Sequence, residues 1–400
     1  MPTARRAPTA ILVRRGGEKL LFDCAEGTQR QLLRSSVGLV ELREIFLTHY
    51  HADHYLGLPG MLKTFALRGR DLPLTVFGPP GLHDIWTSLR RIFGRVSYHI
   101  ELEELRPGDT LERDGYRLES FATSHGVSGI GYALVEDNRP GRFDVAAADA
   151  LGVPVGPERR LLQLGQAVVV GGDRTVRPEH VLGPPRPGRK LVLGSDTEPA
   201  RSVLEAAQRA DVLVHEATFA EEEVERARDT SHSTALDAAR LARDANVRLL
   251  ALTHLSTRYF GPELAREARR VFARTVVPRD FDTIDVPFHE RGEPELVKGG
   301  ALRERPRPAP QPTSATNGGG EASMMGMVQV AVAGDITEAE ELQDILRSAG
   351  IDSVLEMAVD HHAAETENAP QKVLVPEQSL EAAQDAIESL TEPDDLISDA

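Results

Sequence analysis

Between residues 48 and 54 the chain reads Thr48-His49-Tyr50-His51-Ala52-Asp53-His54, and three imidazoles with a carboxylate in six positions constrain the fold more than any other feature. So many ionisable groups cannot form a core, because each buried one needs a partner. The run follows a short apolar stretch, Glu44 to Leu47, that reads as a strand. It precedes Gly57 and the helical spacing of Pro59 to Leu67. It is therefore the turn at the end of a strand. Such a turn can aim alternate residues at one ion and the next pair at another, and imidazole nitrogen and carboxylate oxygen both suit zinc. The alternative is a solvated His-rich turn.

Four more chemically apt residues fall at or just beyond the ends of predicted strands. His125 follows Tyr116 to Phe121, Asp196 follows Lys190 to Leu193, Glu216 follows Asp211 to Val214, and His254 follows Arg248 to Leu252. Strand ends present residues to one common edge of a sheet. Alone, each would more often be a hydrogen-bonded loop residue; their recurrence changes that. His49, His51 and His125 can hold one metal and Asp53, His54 and His254 a second, with Asp196 bridging. Seven side chains leave both ions open to water, the mark of a catalytic site. Two divalent ions roughly 3.5–4 Å apart suit in-line displacement at a phosphodiester. Asp53 is then both a ligand and the acceptor of the attacking water's proton.

The strands alternate with helical stretches, among them Pro199 to Arg209 and Ser233 to Ala245, a mixed α/β pattern. No apolar run reaches the ~18 residues of a membrane span, and Met1 to Ala10 lacks a signal peptide's apolar stretch. The single cysteine, Cys24, forms no internal disulfide. A cytoplasmic protein without membrane contact is expected.

A formal net charge of −16 over 400 residues seems to exclude nucleic acid, but the charge is unevenly spread. Residues 324–400 hold 18 Asp and Glu against Arg347 and Lys372, while the first 323 residues balance 44 basic with 44 acidic groups. The acidity belongs to a separate C-terminal unit. Residues 291–323 are Pro-rich and then Gly-rich, a linker composition. The expected organisation is a catalytic domain over 1–290 and a small acidic α+β domain over 324–400. In the latter, strands are predicted at Val328 to Ala333, Ser353 to Val359 and Lys372 to Val375, and helices at Thr337 to Ala349 and Leu380 to Leu390. Its outline resembles a small prokaryotic signalling domain. A further irregular stretch, Arg139 to Lys190, carries 8 Gly and 7 Pro in 52 residues, with nine Arg and Lys against five Asp and Glu. A loop that long inside a compact domain is usually functional or mobile.

The His49 to His54 run resembles the signature of the metallo-β-lactamase superfamily. Further segments are similar to the ribonuclease Z family in particular. They are Phe22-Asp23-Cys24-Ala25-Glu26-Gly27-Thr28-Gln29, His125-Gly126-Val127, Asp196-Thr197, His215-Glu216-Ala217-Thr218-Phe219, Ser231-His232-Ser233-Thr234-Ala235 and Leu252-Thr253-His254. The resemblance covers about residues 8–288. It implies an αββα sandwich, two zinc ions per subunit, a homodimer, and cleavage of precursor tRNA to remove its 3′ trailer. It implies that His232 contacts the scissile phosphate and donates a proton, with Glu216 orienting it. It also implies that Arg139 to Lys190 is a flexible arm gripping tRNA, with Gly156, Pro157, Arg159 and Arg160 at the substrate. Phosphate contacts of that kind give affinity without reading sequence.

The family pattern has a strand and a Gly-Thr turn ahead of the position of Pro8, which the sequence as given does not contain, and glycines where Ala25 and Ser195 stand. Two other readings remain: a phosphodiesterase of this fold acting on a small or cyclic nucleotide, which has no need of an arm, and a catalytically impaired regulatory protein, against which the complete ligand set argues.

Overall fold

The protein, seen in a computed structural model, is described over residues 2–299 apart from 4, 5, 36 and 40, and over 327–333, 350–357, 371–376 and positions 339, 342, 343, 346, 347, 379, 380 and 383. It divides into two units, Met1–Arg305 and Pro306–Ala400.

The first unit is built on two sheets. One contains β1 (Ile11–Arg15), β2 (Glu18–Phe22), β3 (Glu44–Phe46), β4 (Leu74–Gly78) and β5 (Ile100–Glu104) in sequence order, a hairpin followed by parallel strands. The other begins with β6 (Thr110–Arg113), β7 (Tyr116–Ala122) and β8 (Ile130–Glu136). After a small hairpin, β9 (Val168–Val170) and β10 (Arg174–Val176), it continues with β11 (Lys190–Leu193), β12 (Val212–Glu216), β13 (Leu249–Thr253) and β14 (Thr275–Val276). The order across it is β14-β13-β12-β11-β8-β7-β6, parallel from β11 to β14 and antiparallel elsewhere.

Alternation along each strand sorts side chains to its two faces. Leu20, Phe22, Phe46 and Phe77 face Tyr116, Leu118, Ile130, Tyr132 and Leu193 of the other sheet and form the core between the sheets. Phe22, Phe46 and Phe77 lie in register across three strands, with ring centroids 5.0 and 4.6 Å apart, each pair contributing about 0.5–1.5 kcal/mol beyond its buried area. Leu21, Ile45, Leu47 and Val76 point the other way, into helices α1 (Thr28–Arg34), α3 (Leu58–Leu67) and α4 (Leu82–Phe93). A four-residue helix, α2 (Ala52–Tyr55), precedes α3. The outer face of the second sheet is covered by α7 (Arg201–Ala207), α9 (Ala235–Asp244) and α10 (Gly261–Arg269) through an alanine-rich layer that lets helix and sheet approach closely; α8 (Val224–Asp229) leads into α9. The result is helices, sheet, sheet, helices: the αββα sandwich that was expected.

Several expectations need correction. The predicted helix at Pro199 to Arg209 spans only Arg201–Ala207, since Arg209 turns to φ +56°. Residues beyond 290 are not all linker, because β16 (Glu295–Val297) pairs with β15 (Thr283–Asp285) and places Leu296 opposite Ile284. Residues 300–326 lie outside the described residues. The insertion between β8 and β11 is not irregular. It contains α5 (Val145–Ala150), capped by Asp144, α6 (Pro157–Gln163) and the β9–β10 hairpin around Ala148, Val153, Leu162, Val168, Val176 and Val181, a small core of its own. Its glycines, read as loop, make the turns between these elements: Gly152, Gly171 and Gly172 all have φ between 65° and 92°.

In the second unit, β17 (Met327–Ala333), β18 (Val354–Met357) and β19 (Gln371–Pro376) form an antiparallel sheet in the order β17-β19-β18. The two predicted helices fall largely outside the described residues. Among the described residues no helix is long and apolar enough to cross a membrane.

Candidate metal centre

The C-terminal ends of β3, β7, β11, β12 and β13 meet at one edge of the sandwich. His49, His51, Asp53 and His54 follow β3, His125 follows β7, Asp196 follows β11 and His254 follows β13. Glu216, expected beyond its strand, is the last residue of β12. The turn after β3 is stitched to the other sheet by Ile130 N–H donating to the Thr48 carbonyl at 2.9 Å and Tyr132 Oη donating to the Leu47 carbonyl at 2.7 Å. Gly57, which starts the return into α3, has no room for a side chain: a Cβ would lie 1.9 Å from the Ala25 carbonyl oxygen.

Two groups of donor atoms form. His51 Nδ1 lies 3.1 Å from both His49 Nε2 and His125 Nε2. Asp53 Oδ2 lies 3.3 Å from His254 Nε2, and with His54 these make the second group. Asp196 Oδ2 stands between them, 3.3 Å from His54 Nε2 and His254 Nε2 and 3.9 Å from His49 Nε2. All seven expected ligands are thus together.

The non-coordinating nitrogens fix the tautomers. His54 Nδ1 donates to Asp23 Oδ2 at 2.7 Å and His125 Nδ1 to the Ser231 carbonyl at 2.9 Å. The Thr48 hydroxyl gives its one proton to Asp23 and so accepts from His49 Nδ1 at 3.0 Å; the Thr218 hydroxyl gives its proton to Glu216 and accepts from His254 Nδ1 at 2.9 Å. Four imidazoles therefore turn a lone-pair Nε2 inward, the arrangement in which outer partners orient metal ligands. Burial, and then His54 beside it, pushes His49 down to about 2, so it is a neutral donor.

These residues fit metal ions. His54 Nε2 is buried with no hydrogen-bond partner, and inward lone pairs about 3 Å apart repel unless a cation lies between them. Tetrahedral zinc with bonds of about 2.0–2.1 Å needs donors roughly 3.3–3.4 Å apart, close to the separations here.

His232 lies against the cluster, its ring 4.7 Å from that of His125 and 5.4 Å from that of His254. It enters on the loop before α9, two residues ahead of Thr234, whose side chain caps that helix in a reciprocal box with Asp237. His232 Nδ1 donates to Glu216 Oε1 at 2.8 Å. Burial disfavours its charged form, but Glu216 outweighs that and raises its pKa. Asp53 and His232 have side chains 38% and 15% exposed and His51 and His125 are half-buried, whereas His49 and His54 are sealed.

Gly156, Pro157, Arg159 and Arg160 sit in the insertion, which supplies none of the cluster. Pro157 opens α6 after Gly156 at φ +135°. Arg159 is turned inward onto the Val153 carbonyl, at 2.9 Å, and Asp149, while Arg160 is exposed.

Sequence reasoning gave no role to Asp23, Thr48 or Thr218, the outer partners. Asp23 follows β2 and Thr218 lies two residues after Glu216, but neither position by itself signals the role. Asp23, Ser195, Ser231 and His254 all have φ between 51° and 59°, so strained backbone surrounds the site. That geometry is why a glycine suits position 195. Cys24, fully buried with its thiol pushed up by burial, is packing.

Fold and site together define the metallo-beta-lactamase superfamily, whose sequence profile matches residues 4–254. A ribonuclease Z of Methanosarcina acetivorans is 44% identical over 292 residues, 72% of this chain and 95% of that protein. A ribonuclease Z of Haloferax volcanii is 47% identical over 293 residues, 72% of this chain and 92% of its own length. The chain belongs to the ribonuclease Z family. The short form of human tRNase Z shares the fold, with a TM-score of 0.52 at 24% identity over 72% of this chain and 95% of that one.

Proposed function

We propose that this protein is a zinc-dependent endoribonuclease that cuts precursor tRNA on the 3′ side and removes the trailer, working in the cytoplasm as a homodimer. The observation that carries the reading is the convergence of seven ligands at one edge with the Glu216–His232 pair beside them. The relatives named ribonuclease Z support it.

His49, His51 and His125 would hold one ion, Asp53, His54 and His254 the other, and Asp196 both. Ions there would supply Lewis acidity at the scissile phosphate and lower the pKa of an attacking water. Asp53 would accept that water's proton, being a carboxylate of the cluster whose side chain is 38% exposed. His232, protonated on Nδ1 toward Glu216, contacts the phosphate and delivers a proton from Nε2 to the leaving oxygen. Glu216 fixes its ring and keeps its pKa high enough to carry that proton. The insertion, which carries Gly156, Pro157 and the exposed Arg160, binds the body of the tRNA. It springs from the edge where β8 ends and β11 begins, opposite the ligands, so it grips substrate away from the cut rather than closing over it.

The deciding experiment is to incubate purified protein with a precursor tRNA and map the cut. A parallel chain lacking residues 142–182 joins Gly141 to Gly183, whose backbones already touch. It should lose precursor-tRNA cleavage yet hydrolyse bis(p-nitrophenyl) phosphate like the parent. If it cleaves tRNA equally well, the small-nucleotide phosphodiesterase reading is the better one.

A further inference from the structure

The two legs of the insertion run antiparallel where they leave the sandwich. Arg139 N–H donates to the Arg186 carbonyl at 2.7 Å and Arg186 N–H returns to Arg139 at 2.9 Å. The legs are pressed together: a Cβ on Gly141 would meet the Gly183 carbonyl oxygen at 1.9 Å, and one on Gly188 would meet the Glu136 carbonyl oxygen at 2.4 Å.

This root is held by a segment more than a hundred residues away. Glu290 accepts from both terminal nitrogens of Arg139, at 2.7 and 2.9 Å, and from Arg186 at 2.8 Å, so one carboxylate grips a guanidinium from each leg. The Phe288 ring lies under Arg139, 3.6 Å from its centroid, and under Arg189 at 4.6 Å. Arg189 in turn forks onto Glu136 at 2.8 and 2.6 Å and donates to the Val286 carbonyl at 3.1 Å. The segment is itself fastened to the sandwich: His289 lies 3.1 Å from Asp211, and Arg274 donates to the Pro294 carbonyl at 2.9 Å.

We infer that Phe288 and Glu290 are positioning residues that anchor the insertion and set the direction in which it presents RNA. The inference rests on the reading that the insertion grips the substrate. It also reassigns charge. Arg139, Arg186 and Arg189, three of the nine basic residues of the insertion, are engaged in holding its root, and Arg159 in its own packing. Lys190, in β11, donates to the Gln208 carbonyl at 3.2 Å, which leaves Arg142, Arg160, Arg174 and Arg177, the last only 3.9 Å from Glu179 on the surface, to meet phosphates. An anchored projection binds RNA without first being ordered, and losing the anchor lowers apparent affinity by the fraction of time the projection points correctly.

The test uses the full metal-loaded chain with Glu290→Gln, Phe288→Leu and Phe288→Tyr, beside the chain lacking residues 142–182. Glu290→Gln and Phe288→Leu should raise KM for precursor tRNA about tenfold, the factor for an insertion correctly placed about a tenth of the time. Their kcat, and their hydrolysis of bis(p-nitrophenyl) phosphate, should match the parent. Hydrogen exchange at the Arg139 and Arg186 amides should quicken in both, and Phe288→Tyr, which keeps the ring, should behave as the parent. Parental KM in Glu290→Gln and Phe288→Leu overturns the positioning role whether or not exchange quickens. Equal loss of both activities overturns it too, since the residues would then belong to the catalytic fold. If the deletion chain itself keeps its KM for tRNA, the fault lies instead in the reading that the insertion grips RNA.

Discussion

Replacing Glu216 by glutamine tests the hydrogen-bonded hub of the site. The Glu216 side chain is fully buried, and only donors face its two oxygens. Oε1 takes Thr197 N–H at 2.7 Å and His232 Nδ1 at 2.8 Å; Oε2 takes the Thr218 hydroxyl at 2.6 Å, Ser233 N–H at 3.2 Å and Thr218 N–H at 3.4 Å. Glutamine keeps the shape but turns one oxygen into an amide that can only donate. If it replaces Oε1, the Thr197 amide and His232 lose their acceptor. If it replaces Oε2, the Thr218 hydroxyl can turn round and accept, but Ser233 N–H is still orphaned. Each buried donor left unpaired costs about 1–3 kcal/mol, so Glu216→Gln should destabilise the first unit by roughly 2–5 kcal/mol. Trp86, the chain's one tryptophan, lies on α4, so its fluorescence during urea denaturation follows that unit without interference from the second. The same variant should slow hydrolysis of bis(p-nitrophenyl) phosphate by about 10²- to 10³-fold, because His232 loses the carboxylate that orients and charges it. A stability change below about 0.5 kcal/mol with a parental rate would show that Glu216 is not an ionised acceptor at the centre of this network.

Elemental analysis should find two metal ions per chain, and Asp53→Ala should abolish turnover while the fold survives; parental activity in that variant would remove Asp53 from the proton transfer. His232→Ala should leave metal content unchanged and slow cleavage by about 10²- to 10⁴-fold. Loss of metal would instead place His232, which lies within reach of His125 and Asp196, among the ligands. Glu136, where burial opposes ionisation but Arg189 outweighs it, has a lowered pKa, so its contribution is full above about pH 4.3, the unfolded value, and disappears as pH falls through the lower folded one. Glu136→Gln should therefore cost about 1–3 kcal/mol at pH 7 and progressively less below pH 4, as read by Trp86 during denaturation; a difference that does not depend on pH would count against the ion pair.

What could be read from the chain, and what could not, follows from how each feature is encoded. The candidate metal ligands were legible because they cluster in a turn or follow strand ends, and the alternation of the strands makes those ends predictable. Each of the seven side chains named from sequence lies in the cluster. Their outer partners were not legible, because Asp23, Thr48 and Thr218 are ordinary residues until a particular rotamer aims them at an imidazole. The insertion was misjudged for a different reason. Its glycines and prolines mark turns in a folded piece as readily as they mark a loop, and the six residues of its core are too widely spaced, from Ala148 to Val181, to give a periodic signal.

The charge of the insertion misled most, and it shows why composition alone cannot locate an RNA surface. Nine basic residues against five acidic ones suggest a uniform grip, and counterion release would then make binding steeply salt-dependent. Guanidiniums already forked onto carboxylates release no counterions when RNA arrives. Arg139 and Arg186 have their partner at Glu290, 151 and 104 positions away, and Arg189 has its partner at Glu136, 53 positions away. No window along the chain reveals such pairs. Once they, Arg159 and Lys190 are set aside, the proposed grip on RNA is left to the arginines at 142, 160, 174 and 177, and the salt dependence of tRNA binding should be set by that smaller number. The same pairs explain how a projection with so small a core can keep a direction: its stiffness is supplied at the root, by Phe288 and Glu290.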